Sequence, residues 1–307
     1  MSWLWLVAAA VILDSLRIFI DNYASDVYFK GTSSVSQKVF YAYAYIVVAV
    51  IVFLLSFQSL SALSLLTILL LILSGIISSI AGIFYYRVLE IDDSNNLAIF
   101  IQLAPLLYLI YDWFTGATFA PLQIVAFVVI LLAPFLIIIS SRKKSRKTKL
   151  KAALLAFLYV LVSVISNLIF VGVNSSEFNF GLVMAFVFLG KGIGNLAIVY
   201  SKPKLRKRFS VIYRKSHAKV LRPLIINSIV GFSKDFAYRA ALVSAPAVAL
   251  ASVVSDSAEP VVVFLLGVVL TLIWPKFGRE KLDKKSVLVH LVSTILVVIG
   301  IILIRLA

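Results

Sequence analysis

Apolar residues run in long blocks along this chain, separated by short polar or basic stretches. About 20 helical residues, at about 1.5 Å each, cross the roughly 30 Å core of a bilayer. The blocks predict ten spans, near residues 3–28, 33–56, 61–86, 95–113, 119–139, 152–173, 179–200, 222–243, 246–274 and 286–305. Lipid offers no water to a bare N–H or C=O, so each span is expected to be a helix. The alternating pattern of outer-membrane barrel strands is absent. The expected fold is an all-α polytopic membrane protein.

Composition supports the pattern. The 307 residues are 62% hydrophobic and 14% charged, against roughly 45–50% and roughly 25% for soluble domains. The absence of cysteine excludes disulfides, thiolate metal sites and cysteine nucleophiles. With only two histidines, His217 and His290, no multi-histidine metal centre and no cofactor is expected. Met1-Ser2-Trp3-Leu4-Trp5-Leu6 lacks a basic leader and reads as the first membrane helix.

The net charge of +16 lies mostly between the apolar blocks, in stretches 141–151, 201–222 and 276–285. Basic loops flanking membrane spans mark the cytoplasmic side, so these three are expected there, in a cell membrane, with lipid rather than nucleic acid as partner. Ten spans then place both termini on the outer side.

The chain also matches itself. Phe84-Tyr85-Tyr86-Arg87 and Phe236-Ala237-Tyr238-Arg239 lie 152 residues apart, as do Asp14-Ser15-Leu16 and Ser166-Asn167-Leu168. Lys38 and Lys191 fall at nearly that offset, and Gln102-Leu103-Ala104-Pro105 meets Ser257-Ala258-Glu259-Pro260 after a small gap. The expected organisation is a first five-helix repeat over 1–140, a basic linker over 141–151 and a second repeat over 152–307. An odd number of spans per repeat makes the copies cross in opposite senses, as in secondary transporters with a site near the midplane.

On these residues, with Asn95-Asn96-Leu97-Ala98 through Pro105 and Ala245-Pro246-Ala247 through Pro260, the chain resembles the drug/metabolite transporter (DMT) superfamily, EamA type, over essentially its whole length. The resemblance implies a ten-helix basket around a central cavity and alternating access of small metabolites. Two features depart from it. The connections after spans 4 and 9 lack the Glu often found in members: Asp112 is the nearest acid in one, and Trp274-Pro275-Lys276 stands in the other. The charge bias also places the termini opposite to those of the better-known relatives.

Ionisable residues inside spans are costly and each is a functional candidate. Asp14 and Arg17 share a helical face at i,i+3 spacing. Asp14 is a candidate proton-coupling carboxylate; a permanent pair with Arg17 is the alternative. Lys191 sits in Leu189-Gly190-Lys191-Gly192-Ile193-Gly194-Asn195, without the spacing of a phosphate-binding loop. It is expected either to meet an anionic group or compete with a proton, or to pair with Asp14 or Asp235 for stability alone. Asp235 and Arg239 are i,i+4 neighbours and read as a structural pair, which leaves Lys234 to face elsewhere or to snorkel. Asp256 and Glu259, beside Pro260, read as a helix end near water, and His290 reads as packing. The tyrosines at 41, 43 and 45 spread around span 2. Lys38, Gln102, Asn195 and Tyr86 complete the candidate substrate-binding or coupling set of Lys191, Asp14, Arg17 and Lys234.

No metalloprotease motif, nucleophile elbow or dinucleotide fingerprint occurs, so no enzyme is expected. Candidate cavity cations (Arg17, Lys38, Lys191, Lys234, Arg239) outnumber the deep acids (Asp14, Asp235). The expected function is therefore secondary active transport of anionic or zwitterionic metabolites, such as amino acids or organic or phosphorylated acids, with protons as a candidate coupling ion. The rivals are a proton-coupled exporter of cationic or neutral compounds centred on Asp14, and a membrane scaffold or accessory subunit.

Overall fold

The apolar blocks fold as helices. The computed structural model describes residues 3–27, 37–91, 101, 103–139, 146–173, 178–201, 203, 217–273 and 284–306. Within them lie ten α-helices and no strand: α1 (Trp3–Val27), α2 (Gln37–Ser56), α3 (Leu65–Ile91), α4 (Leu103–Phe114), α5 (Pro121–Ile139), α6 (Arg146–Val173), α7 (Phe180–Tyr200), α8 (His217–Ser244), α9 (Val248–Ile273) and α10 (Lys284–Leu306). A 3-10 segment, Phe57–Ala62, follows α2. Gln102 lies outside the described residues. α6 starts six residues before the expected 152, so Arg146, Lys147, Lys149 and Lys151 of the basic linker are helical.

Local chemistry sets the ends. Ser64 caps α3 by accepting the Thr67 N–H at 3.1 Å, and Asn179 caps α7 by accepting the Leu182 N–H at 3.3 Å. α5 opens with Pro121, while Gln123 reaches back to accept the Ala120 N–H at 3.1 Å. α4 stops at Gly116, whose φ of 85° lets Ala117 N–H reach the Asp112 carbonyl at 2.9 Å.

The chain is an integral membrane protein. Among the described residues α1, α2, α3, α6, α7 and α9 are long and apolar enough to cross a bilayer. Large apolar side chains also point outward from helix interiors: Leu69 is 54% exposed and Ile229 58%. In water such faces would be an aggregation hazard; in lipid they are solvated.

Two compact units divide the chain. One comprises Met1–Ile20, Asp92–Ala156 and Ser233–Ala307, the other Asp21–Ile91 and Phe157–Phe232. Each draws on both sides of the basic linker, and α1, α6 and α8 contribute to both.

In the second unit α7 packs on α2 and α3. A Cβ on Gly190 of α7 would overlap the Ile72 carbonyl oxygen of α3, and one on Gly75 of α3 would overlap the Val187 carbonyl oxygen of α7. The two glycines therefore permit backbone contact, the means by which helices associate where hydrophobicity gives no drive. Ser79 of α3 adds a bond, donating to the Lys191 carbonyl at 2.8 Å. α3 also meets α6 through a reciprocal pair: Ser74 Oγ donates to the Ser166 carbonyl and Ser166 Oγ to the Ser74 carbonyl, each at 2.8 Å.

In the first unit α5 packs on α10, and α9 packs on α4, α5 and α10. Ala245-Pro246-Ala247, just before α9, offers no side-chain oxygen to its first N–H groups. Asp112 of α4 supplies one, accepting the Ala249 N–H at 2.7 Å. The Asp112 carboxylate thus caps a helix other than its own.

Candidate functional site

Charged side chains gather on the polar faces of α1, α8 and α9 in the first unit. Asp14 is the twelfth of 25 residues in α1, deep within a span. Lys234 Nζ of α8 stands 2.8 Å from its Oδ2 and Arg17 Nη1 3.7 Å from its Oδ1. Each carboxylate oxygen therefore faces its own cation. The predicted Asp14–Arg17 neighbourhood is present, but Lys234, expected to turn elsewhere, is the closer partner. Own-helix spacing favoured Asp235 with Arg239; contact between helices decides where Lys234 goes.

α9 changes the count of charges. Asp256 and Glu259, expected at a helix end, are the ninth and twelfth of its 26 residues, with Pro260 inside the helix. Neighbouring helices can tolerate a proline within a membrane span, so it did not mark a terminus here. Ser252 Oγ donates to Asp256 Oδ2 at 2.7 Å. Asp14 and Lys234 both act electrostatically on Asp256 and on Glu259, and Arg17 also acts on Glu259. Tyr238 lies under Lys234, whose Nζ is 5.6 Å from the ring centroid, and hydrogen-bonds Tyr108 of α4 and Ser252 of α9. Three carboxylates and two cations thus share this neighbourhood. The cation excess read from the sequence does not hold locally, because it left out Asp256 and Glu259.

The side chains of Asp14, Arg17 and Lys234 are 18%, 25% and 21% exposed. Exposure of such charges to hydrocarbon costs several kcal/mol.

Lys191 is placed differently. It is the twelfth of 21 residues in α7, buried in the second unit. Its Nζ lies 5.4 Å from the Tyr45 ring centroid, whereas the Asp14 oxygens face Arg17 and Lys234. Tyr45 packs against Phe232 at 4.7 Å and Phe188 at 5.8 Å, and those two rings sit 5.5 Å apart. Asn195, one turn beyond Lys191, is buried, and its Oδ1 meets no donor among the described residues. Tyr86 is buried with its ring edge-on to Tyr85 at 5.3 Å, and Tyr85 leans on Tyr159 at 5.4 Å. Lys38 is the second residue of α2.

The second unit also holds a polar cluster absent from the expectations. Asp21 of α1 accepts from Tyr41 Oη of α2 at 2.9 Å and from Asn227 Nδ2 of α8 at 2.6 Å, and Asn227 Nδ2 also donates to Tyr41 Oη. Asp14 and Asp21 lie seven residues apart in the chain, as do Asn227 and Lys234. The sequence signal was a heptad of polar residues on each of two apolar helices.

No family model matches the chain, and no curated protein matches it. Twenty-seven chains of solved structures do match. One, described as "Crystal structure of protein", has a TM-score of 0.65 over 97% of this chain and 96% of its own, at 14% identity. At that identity the likeness is one of fold alone.

Proposed function

We propose that the protein is a secondary active transporter of small zwitterionic or anionic metabolites, built from ten membrane spans in two inverted five-helix repeats. The observation that carries this reading is the Asp14–Lys234 pair at 2.8 Å, mid-span and partly open, with Arg17, Asp256 and Glu259 around it. Such a group in a membrane costs stability and is retained where an ion or solute passes. Arg17 and Lys234 suit a solute carboxylate, and Asp256 and Glu259 suit an ammonium group. A solute carrying both charges matches the local balance better than a simple anion. The exporter centred on Asp14 has less support, because both oxygens of that carboxylate already face cations.

Helix pairing supports the repeat. α1 meets α8 through Asp14 and Lys234, while α6 meets α3 through Ser166 and Ser74. These are the same pairing with the halves exchanged, and Asp14 and Ser166 hold corresponding places at the 152-residue offset. α2 with α7, α4 with α9 and α5 with α10 also join helices of equal rank in the two halves. The resemblance to drug/metabolite transporters agrees with this arrangement.

The test is thermal stability of the purified protein in detergent against amino acids, dicarboxylates, phosphorylated acids, amines and neutral sugars. A ligand at 100 times its Kd stabilises by about 2.7 kcal/mol. Stabilisation by amino acids or acids that disappears in Lys234→Met is expected. Stabilisation by amines alone, unchanged in that variant, would move the site and reverse the charge preference.

A further inference from the structure

The Asp21–Tyr41–Asn227 cluster is separate from the ionic cluster around Asp14. Asp21 and Tyr41 are each 8% exposed and Asn227 1%. Three helices meet there, and the bonds run one way. Asn227 Nδ2 donates to Tyr41 Oη, and Tyr41 Oη donates to Asp21 Oδ1 at 2.9 Å; Nδ2 also reaches Asp21 directly at 2.6 Å. Asn227 Oδ1 is buried and has no donor among the described residues. An idle buried acceptor is unfavourable in a core that uses its other polar atoms.

The inventory of donors explains it. A carboxylate only accepts, a protonated carboxyl also donates, and a tyrosine hydroxyl does either. If a proton from water binds Asp21, its new O–H needs an acceptor, and Tyr41 Oη can become one by turning its own hydrogen away. That hydrogen then needs an acceptor in turn. Half a turn of the Asn227 amide exchanges Nδ2 for the idle Oδ1 and supplies it. The chain then runs from Asp21 to Tyr41 to Asn227, the reverse of the observed order. One proton is gained from water on loading and returned on release, and no covalent bond between heavy atoms changes.

We propose that Asp21, Tyr41 and Asn227 form a proton-carrying site in which one hydrogen-bond chain runs in opposite directions in the proton-free and proton-loaded states. The arrangement of Asp21, Tyr41 and Asn227 in the structure suits the proton-free carboxylate. As a coupling site it rests on the transport reading above; as a proton site it does not. The titratable and charged groups carried by the helices around it are Lys38, Tyr41, Tyr43 and Tyr45 on α2; Asp14, Arg17, Tyr23 and Asp26 on α1; and His217, Lys219, Arg222, Lys234, Asp235, Tyr238 and Arg239 on α8. Lys191 is carried by α7, which packs on α2.

Infrared difference spectra of the full-length protein, recorded between neutral and acidic pH without solute, test this. A protonated-carboxyl band should grow on acidification and be lost in Asp21→Asn. The same band should change frequency in Tyr41→Phe and in Asn227→Leu, which keep the carboxyl. If Asp21→Asn does not fold, those two variants decide alone. A band that persists in Asp21→Asn, or that neither Tyr41→Phe nor Asn227→Leu moves, would overturn the proposal. A titrating Asp21 stands even if no solute is found, and a silent Asp21 leaves the solute site around Lys234 untouched.

Discussion

Asp14 and Lys234 are 220 residues apart in the chain and 2.8 Å apart in space. Taking one charge away leaves the other without its closest partner in a site that is mostly shielded from water. Full burial would make that loss worth about 3–5 kcal/mol, and the partial exposure here reduces it to about 1–3 kcal/mol. Asp14→Asn is therefore expected to lower the unfolding temperature in detergent. The double variant Asp14→Asn with Lys234→Met should recover part of the loss, because Lys234 is no longer left as a charge without its closest partner, while Arg17 still loses Asp14. Equal or additive losses would mean that the two residues act independently.

The α3–α7 contact predicts a steric effect. Gly190→Val places methyl groups where the Ile72 carbonyl already lies. Forced overpacking costs about 1–3 kcal/mol and more where backbone must move. The variant is expected to lose monodispersity on size exclusion. Gly172→Ala on α6, where a Cβ meets nothing within 4 Å, should behave as the parent protein does.

Asp112 predicts a capping effect on a helix that is not its own. Asp112→Ala removes the acceptor from the Ala249 N–H and should cost about 0.5–2 kcal/mol. Hydrogen exchange should rise in the first turn of α9 and stay unchanged in α7. Asp112→Asn keeps an oxygen and should restore most of the protection.

Lys191 rests over the Tyr45 ring, so the ring face contributes to holding it. Relative to Tyr45→Phe, which keeps the ring, Tyr45→Leu should cost about 0.5–2 kcal/mol more in cation–ring attraction, besides lost packing with Phe188 and Phe232. A thermal scan of both variants, each with and without Lys191→Met, separates the two contributions.

The helices were largely legible because lipid imposes one requirement on every span, that of internal backbone hydrogen bonding. Apolar run length alone located α1, α7 and α9 to within a few residues. Tyr41, Tyr43 and Tyr45 do spread: Tyr41 reaches Asp21, Tyr43 is exposed and Tyr45 lies beneath Lys191. Spacing along one helix could not reveal what a neighbouring helix presents. It linked Asp235 with Arg239 and left the partner of Lys234 on α1 unnamed. Proline beside two acids resembled a terminus at Pro260, although the α9 helix continues through it. The Asp21–Asn227 bond spans 206 residues, and only the heptads on α1 and α8 hinted at it.

The central claim is that the charged faces of α1, α8 and α9 bind a solute that then crosses the membrane. The most direct measurement is counterflow of labelled amino acids in vesicles containing the purified protein, compared with Lys234→Met and with protein-free vesicles. Accumulation of one or a few amino acids by the parent protein, reduced at least tenfold in a folded Lys234→Met variant, is the predicted result. Uptake that is unchanged in Lys234→Met would contradict the site, and no uptake above protein-free vesicles for any zwitterion or acid would contradict the transport reading.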